Sequence, residues 1–276
     1  MIQALRRRAK YIRVQRERRR YLRSLVERGD DPAFADEEPL SADMDDDSST
    51  LLIAFGGMNQ EVGITPFEFF GQASDIPVKR LFVRDLRQAW YHRGLPGHGS
   101  TLESVGETLR ALIRAHDVER LVVTGNSAGG YAALLFGKML GADTVLCFAP
   151  QTIIDMTALG NMGDHRWDDY LQPLVDHRAL DRRWVDLRPA LDAAERARDV
   201  DTSYLVFFAD SLRTDRLHAE RLLGLDGLRL YRFGKGEHYL VSSLRDAGAL
   251  KRILRRALLP AETEAGGGIG GERGAR

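Results

Sequence analysis

Leu121-Val122-Val123-Thr124-Gly125-Asn126-Ser127-Ala128-Gly129-Gly130-Tyr131-Ala132-Ala133-Leu134-Leu135-Phe136-Gly137 constrains the chain more than any other stretch. A short β-branched apolar run meets a Gly-x-Ser-x-Gly turn, and a small-residue pattern of helical type follows at once. A strand that delivers a serine to a sharp turn, with a helix N-terminus aimed back at it, is the context that makes such a serine a nucleophile. Gly125 and Gly129 flank the turn because side chains there would meet the neighbouring strand and helix. Ser127 is then expected to sit strained and exposed, with the backbone N–H of Ala128 facing a reacting carbonyl as one oxyanion donor.

The rest of the chain supplies a sheet for this turn. Leu51–Phe55, Lys79–Arg84, Leu121–Thr124, Thr144–Phe148, Tyr204–Phe208 and Leu228–Phe233 read as strands. Thr101–His116 carries Leu102, Val105, Leu109, Leu112 and Ile113 at helical spacing; Asp215–Leu223 and Val241–Leu259 also read as helices. Strands alternating with helices predict a three-layer α/β fold: a mostly parallel central sheet covered by helices on both faces. The predicted domain runs over residues 50–260. Within it, about 151–200 has no strong strand and is the expected site of a small cap insertion. The Gly-rich tail, 261–276, is expected to be disordered.

The formal net charge of zero hides a segregation. Residues 1–28 carry eleven Arg or Lys against Glu17 and Glu27, whereas residues 30–47 carry nine acids. The first stretch (1–29) reads as a basic helix that docks on the domain, an anionic membrane surface or an acidic protein. No nucleic-acid-binding motif accompanies it, so a nucleic acid is not the expected partner. Residues 30–49, poor in apolar side chains and holding Pro32 and Pro39, read as an acidic linker. No apolar run approaches the roughly 18 residues of a membrane span, and no apolar segment follows the basic N-terminus as in a secretory signal. A cytoplasmic location is expected. Cys147, the one cysteine, lies in an apolar run and reads as a buried structural thiol.

A serine hydroxyl needs a positioned base, and the base needs a carboxylate to fix its tautomer. In an elbow-type sheet the order is serine, acid, histidine, with the last two in loops after late strands. Of the seven histidines, His238 alone follows a late strand in a glycine-rich loop, Gly234-Lys235-Gly236-Glu237-His238. The other six show no metal-ligand spacing, and neither a metal nor a cofactor is expected. Two carboxylates compete as the acid: Asp210, first off the strand, and Asp215, which a loop would give more reach and which could instead be a helix N-cap. Gly56-Gly57 after Leu51–Phe55 offers the second oxyanion donor, the N–H of Gly57 or Met58.

With Phe55-Gly56-Gly57, Gly125-Asn126-Ser127-Ala128-Gly129-Gly130, an Asp after a late strand and His238, the chain resembles the α/β-hydrolase superfamily over about residues 50–260. More narrowly, Arg84-Asp85 followed by Trp90-Tyr91, Ala128–Ala133, Phe148-Ala149-Pro150-Gln151 and Asp215-Arg216-Leu217-His218-Ala219 resemble bacterial hydrolase-fold proteins associated with capsular and other surface-polysaccharide synthesis. The resemblance implies acyl transfer from a small ester or acylated saccharide to water or a sugar hydroxyl. It also implies an alternative, a non-catalytic binding or assembly protein built on the same fold.

Overall fold

A computed structural model describes residues 38–58, 69–193, 201–234, 238 and 240–259. The basic segment 1–28, residues 30–37 of the acidic run and the tail 261–276 lie outside them. Among the described residues, seven strands form one sheet in the order β1-β3-β2-β4-β5-β6-β7. They are β1 (Leu40–Asp43), β2 (Thr50–Phe55), β3 (Lys79–Val83), β4 (Arg120–Asn126), β5 (Thr144–Phe148), β6 (Ser203–Ala209) and β7 (Leu228–Phe233). All neighbours run parallel except β1, which pairs antiparallel with β3.

The period of two along a strand divides the core into two layers. Leu51, Ile53 and Phe55 face one side, with α2 (Leu102–Ala115) and α3 (Ala128–Leu140). Leu52 and Ala54 face the other, against α1 (Phe70–Ala73), α8 (Leu240–Asp246) and α9 (Ala249–Leu258). Helices on both faces leave the central strands predominantly apolar, and β2 and β5 are buried along their whole length. Cys147 lies within β5, fully buried, and burial pushes its thiol up.

Two expectations are corrected. The stretch read as a linker holds β1: the backbone of Leu40–Asp43 pairs with Arg80–Val83, and Asp43 forms a 2.6 Å ion pair with Arg80. Lys79 Nζ adds hydrogen bonds to the carbonyls of Asp46 (2.9 Å) and Ser48 (2.6 Å). A four-residue edge strand with a serine and an aspartate has no apolar run to reveal it. The last helix is broken in two, because Gly248 adopts φ 66° between α8 and α9.

Between β5 and β6 the described residues form three short helices, α4 (Met156–Met162), α5 (Asp168–Asp176) and α6 (Leu187–Asp192). A buried polar chain ties this segment to α3. The backbone N–H of Asp181 donates to His92 Nδ1 (2.9 Å), His92 Nε2 meets Tyr131 Oη (2.8 Å), and Tyr131 donates to the Trp184 carbonyl (2.6 Å). Nδ1 accepts, so Nε2 carries the proton and the ring is neutral.

Burial lowers His92 from its ordinary value to about 4, against a smaller opposing pull from Asp181. With the folded value below the unfolded one, its stabilisation is complete above about pH 6.5 and is lost as pH falls toward 4. Replacing His92 by Gln is expected to lower stability at pH 7 and to flatten the fall in urea midpoint between pH 6.5 and 4. A variant whose pH dependence matched the wild type would contradict this role.

Candidate active site

β4 ends at Asn126 and α3 begins at Ala128, leaving Ser127 alone in the turn with φ 56° and ψ −118°. For a serine this is a strained conformation, and it persists because its surroundings fix it. The Ser127 N–H donates to the Phe148 carbonyl (2.9 Å), and its carbonyl accepts from Tyr131 (3.0 Å) and Gln151 (3.2 Å). A Cβ on Gly125 would lie 2.0 Å from the Gly129 carbonyl oxygen, and one on Gly129 would lie 2.3 Å from that of Phe55. Only glycine lets β2, β4 and α3 approach so closely.

His238, after β7, directs Nε2 to Ser127 Oγ at 2.8 Å. Its Nδ1 lies 3.0 and 2.9 Å from the two carboxylate oxygens of Asp215. A carboxylate in an ion pair only accepts, so Nδ1 bears the proton and Nε2 is left to accept from the serine hydroxyl. The three side chains form one hydrogen-bonded row. Asp215 stands in the first turn of α7 (Arg213–Glu220), whose N-cap is Leu212. Asp210 lies apart from the row, its carboxylate turned toward Arg216 (4.0 Å) and Arg232 (3.9 Å).

Ala128, as the first residue of α3, has an N–H beyond the reach of the helix's own carbonyls. Gly57 and Met58 follow β2, half-buried. The neighbouring Gly56 is anchored, with its N–H on the Val83 carbonyl (2.7 Å) and its carbonyl on Tyr91 Oη (2.9 Å). The Gly56 backbone also abuts Gly129, which places this loop against the elbow.

Sequence reasoning missed the surroundings of the row. Arg166 Nη1 lies 3.1 Å from Asp215 Oδ1. Its Nε (2.7 Å) and Nη2 (2.6 Å) fork onto Asp164, which is 1% exposed. Burial alone would raise the Asp164 carboxyl, but the Arg166 hydrogen bonds outweigh it and hold the group well below the usual carboxylate range. His218 Nε2 approaches Asp164 at 3.4 Å, while Nδ1 accepts from the Thr152 N–H (3.1 Å); burial lowers the proton affinity of this ring.

Trp167 lies beside His238 with ring centroids 6.3 Å apart, and Trp90 meets it edge-on at 6.2 Å. Trp90 in turn donates its indole N–H to Gln151. Only the tryptophans themselves signalled this wall in the sequence; its assembly is tertiary. Among the described residues no group of three or more His, Cys, Asp or Glu is placed to hold a metal ion, and no helix is long and apolar enough to cross a membrane.

No protein-family model matches the sequence, and no curated protein sequence does. Solved structures do match. The chain is similar to the capsule O-acetyltransferase of Neisseria meningitidis serogroup A, at 11% identity and TM-score 0.56, over 79% of this chain and 90% of that one. It also matches a lipase-esterase related protein from Clostridium acetobutylicum (16% identity, TM-score 0.47, 79% and 98% covered). A third match is Est1E from Butyrivibrio proteoclasticus (13% identity, TM-score 0.47, 79% and 92% covered). The mostly parallel seven-stranded sheet with helices on both faces is a three-layer α/β fold, shared with that acetyltransferase. At such identities the likeness concerns the fold, and the chemistry rests on this chain's own side chains.

A histidine proton held by Asp215 should resonate far downfield in the NMR spectrum. Asp215→Ala is expected to abolish that His238 Nδ1–H signal and Asp210→Ala to leave it unchanged. The reverse pattern would transfer the role to Asp210.

Proposed function

We infer that the chain is a serine-dependent hydrolase or acyltransferase acting on a small ester or acylated saccharide through an acyl-enzyme on Ser127. The observation that carries this reading is the continuous row from Ser127 Oγ through His238 to Asp215, at 2.8 Å and then 2.9–3.0 Å. Distances of this size permit proton transfer without rearrangement.

Ser127 Oγ attacks the acyl carbon while its proton passes to His238 Nε2, and Asp215 stabilises the imidazolium that forms. The tetrahedral oxyanion is held by the N–H of Ala128 and that of Gly57 or Met58. Collapse breaks the ester bond, and His238 returns the proton to the departing alkoxide. Water or a sugar hydroxyl then gives its proton to His238 and attacks the acyl-enzyme, and Ser127 is released by the reverse steps. The helices α4–α6, with Trp167 beside His238, serve as the cap that limits water around the acyl group. Acylated saccharide is favoured as substrate by the resemblance of residues 84–91, 128–133, 148–151 and 215–219 to polysaccharide-associated hydrolase-fold proteins. The alternative, a non-catalytic assembly protein, leaves the assembled row without a use.

Ser127→Ala is expected to abolish labelling by a fluorophosphonate and to lower turnover of a short-chain aryl ester by about 10³-fold or more, with the fold retained. Asp215→Asn should cost about 10⁴-fold in kcat, because the amide favours the wrong histidine tautomer. Asp210→Asn should have little effect. A Ser127→Ala protein that turned over ester at the wild-type rate would refute the serine mechanism and favour the assembly reading.

A further inference from the structure

Behind the row of Ser127, His238 and Asp215 stands a second row of charge. Asp215, Arg166 and Asp164 alternate in sign, and the two carboxylates are almost fully buried while the Arg166 side chain keeps 30% of its exposure. Arg166 uses three nitrogens at once: Nε and Nη2 on Asp164, Nη1 on Asp215. A planar fork does this in one geometry, which a lysine ammonium cannot reproduce. The fork is itself fixed. Gly163 ends α4 with φ 72°, the Arg166 N–H closes onto Asp164 Oδ1 (3.3 Å), and the next residue, Trp167, lies beside His238.

An arginine alone beside Asp215 would weaken the field that favours a proton on His238. Asp164 changes that balance. Asp215, Arg166 and Asp164 together carry a net charge of −1, and an imidazolium at His238 brings the buried cluster to zero. We propose that Asp164 and Arg166 are a paired positioning element: Arg166 fixes the Asp215 carboxylate toward His238, and Asp164 offsets the arginine so that Asp215 keeps its pull on the protonated ring. The proposal rests on the serine mechanism above for its use, though its electrostatic content stands on the geometry alone.

Among the described residues, the charged and titratable groups facing this cluster come from three segments: Asp164 and Arg166 after α4, Asp215 and His218 on α7, and His238 after β7. His165 turns outward to Asp168 (3.0 Å). Arg213 and Arg216, also on α7, are directed to the Met162 carbonyl (2.6 Å) and toward Asp210.

The test uses the full chain and the variants Arg166→Gln, Arg166→Lys and Asp164→Asn, with thermal unfolding as the check on folding. The histidine-ring NMR titration of His238 is followed in a Ser127→Ala background and assigned by its loss in His238→Gln. Fluorophosphonate labelling rates are measured against pH with Ser127 intact. Removing the cation leaves two carboxylates behind His238, so Arg166→Gln should move the titration midpoint and the acid limb of labelling to higher pH. Removing the outer anion leaves the arginine unopposed, so Asp164→Asn should move both to lower pH. Arg166→Lys keeps the charge but loses the fork; it should slow labelling with a smaller shift of midpoint than Arg166→Gln. Shifts of opposite sign support the proposal, because loss of packing alone would not produce them.

Midpoints that stay fixed, or that move in the same direction in Arg166→Gln and Asp164→Asn, would overturn it. If Asp164→Asn does not fold, the Arg166 variants decide: an upward shift in Gln larger than in Lys supports the proposal, and any other order overturns it. A wild-type protein that failed to label would refute the serine mechanism, while the titrations would still judge the cluster.

Discussion

The close approach of three backbones at Ser127 is the constraint on which the structure depends. Gly129 packs against the end of β2, Gly125 against the start of α3, and a Cβ on Gly130 would come within 2.9 Å of Pro150. These contacts bring β2, β4, α3 and the end of β5 to one point. The positive φ of Ser127 follows from them, since the chain must reverse from strand to helix within one residue. Its cost is offset by the backbone hydrogen bonds to Phe148, Tyr131 and Gln151. The same turn frees the Ala128 N–H and presents Oγ to the loop after β7. The strain, the helix-start amide and the aim of the Ser127 hydroxyl thus come from a single backbone arrangement.

Electrostatics explains why one carboxylate and not its neighbour meets His238. A carboxylate removed from water is costly unless it is paired and hydrogen-bonded. Asp215, 1% exposed, has the imidazole N–H, a guanidinium and a place in the first turn of a helix, where the N-terminal amides favour negative charge. Asp210 stays nearer solvent at the end of β6, with two arginines close to 4 Å away. The site is therefore selected by partners rather than by distance along the chain.

The elbow was legible because its glycines have no other use in a strand-to-helix reversal, and the strands because burial on both faces leaves them uniformly apolar. His238 was legible from its place after the last strand. β1 was not, since an edge strand with a polar face carries no periodic signal. The break at Gly248 was overlooked because a glycine inside an amphipathic pattern is often tolerated. Asp164 and Arg166 were invisible for a different reason: nothing local distinguishes them from surface charges, and their meaning arises only where α4 and α7 meet. Segment 1–28, so prominent in the sequence, lies outside the described residues.

Beyond the elbow, hydrogen bonds carry the linkage between the parts of the site. Asp85 accepts from the backbone of Arg87, Ala89 and Tyr91, holding a loop in which Gln88, Trp90 and Tyr91 all have positive φ. That loop aims Trp90 at Gln151, whose N–H is bonded to the Ser127 carbonyl, and sends Tyr91 to the Gly56 carbonyl. Thr152, the next residue, holds His218 behind Asp164. Apolar packing could fix the separation of these segments but not the direction of their polar atoms, because it is non-directional. Directed donors and acceptors fix both, and a buried group that loses its partner costs more than the bond contributed. The site's precision is for that reason cooperative: each segment holds its neighbour's polar atoms in the direction that keeps Ser127, His238 and Asp215 in one row.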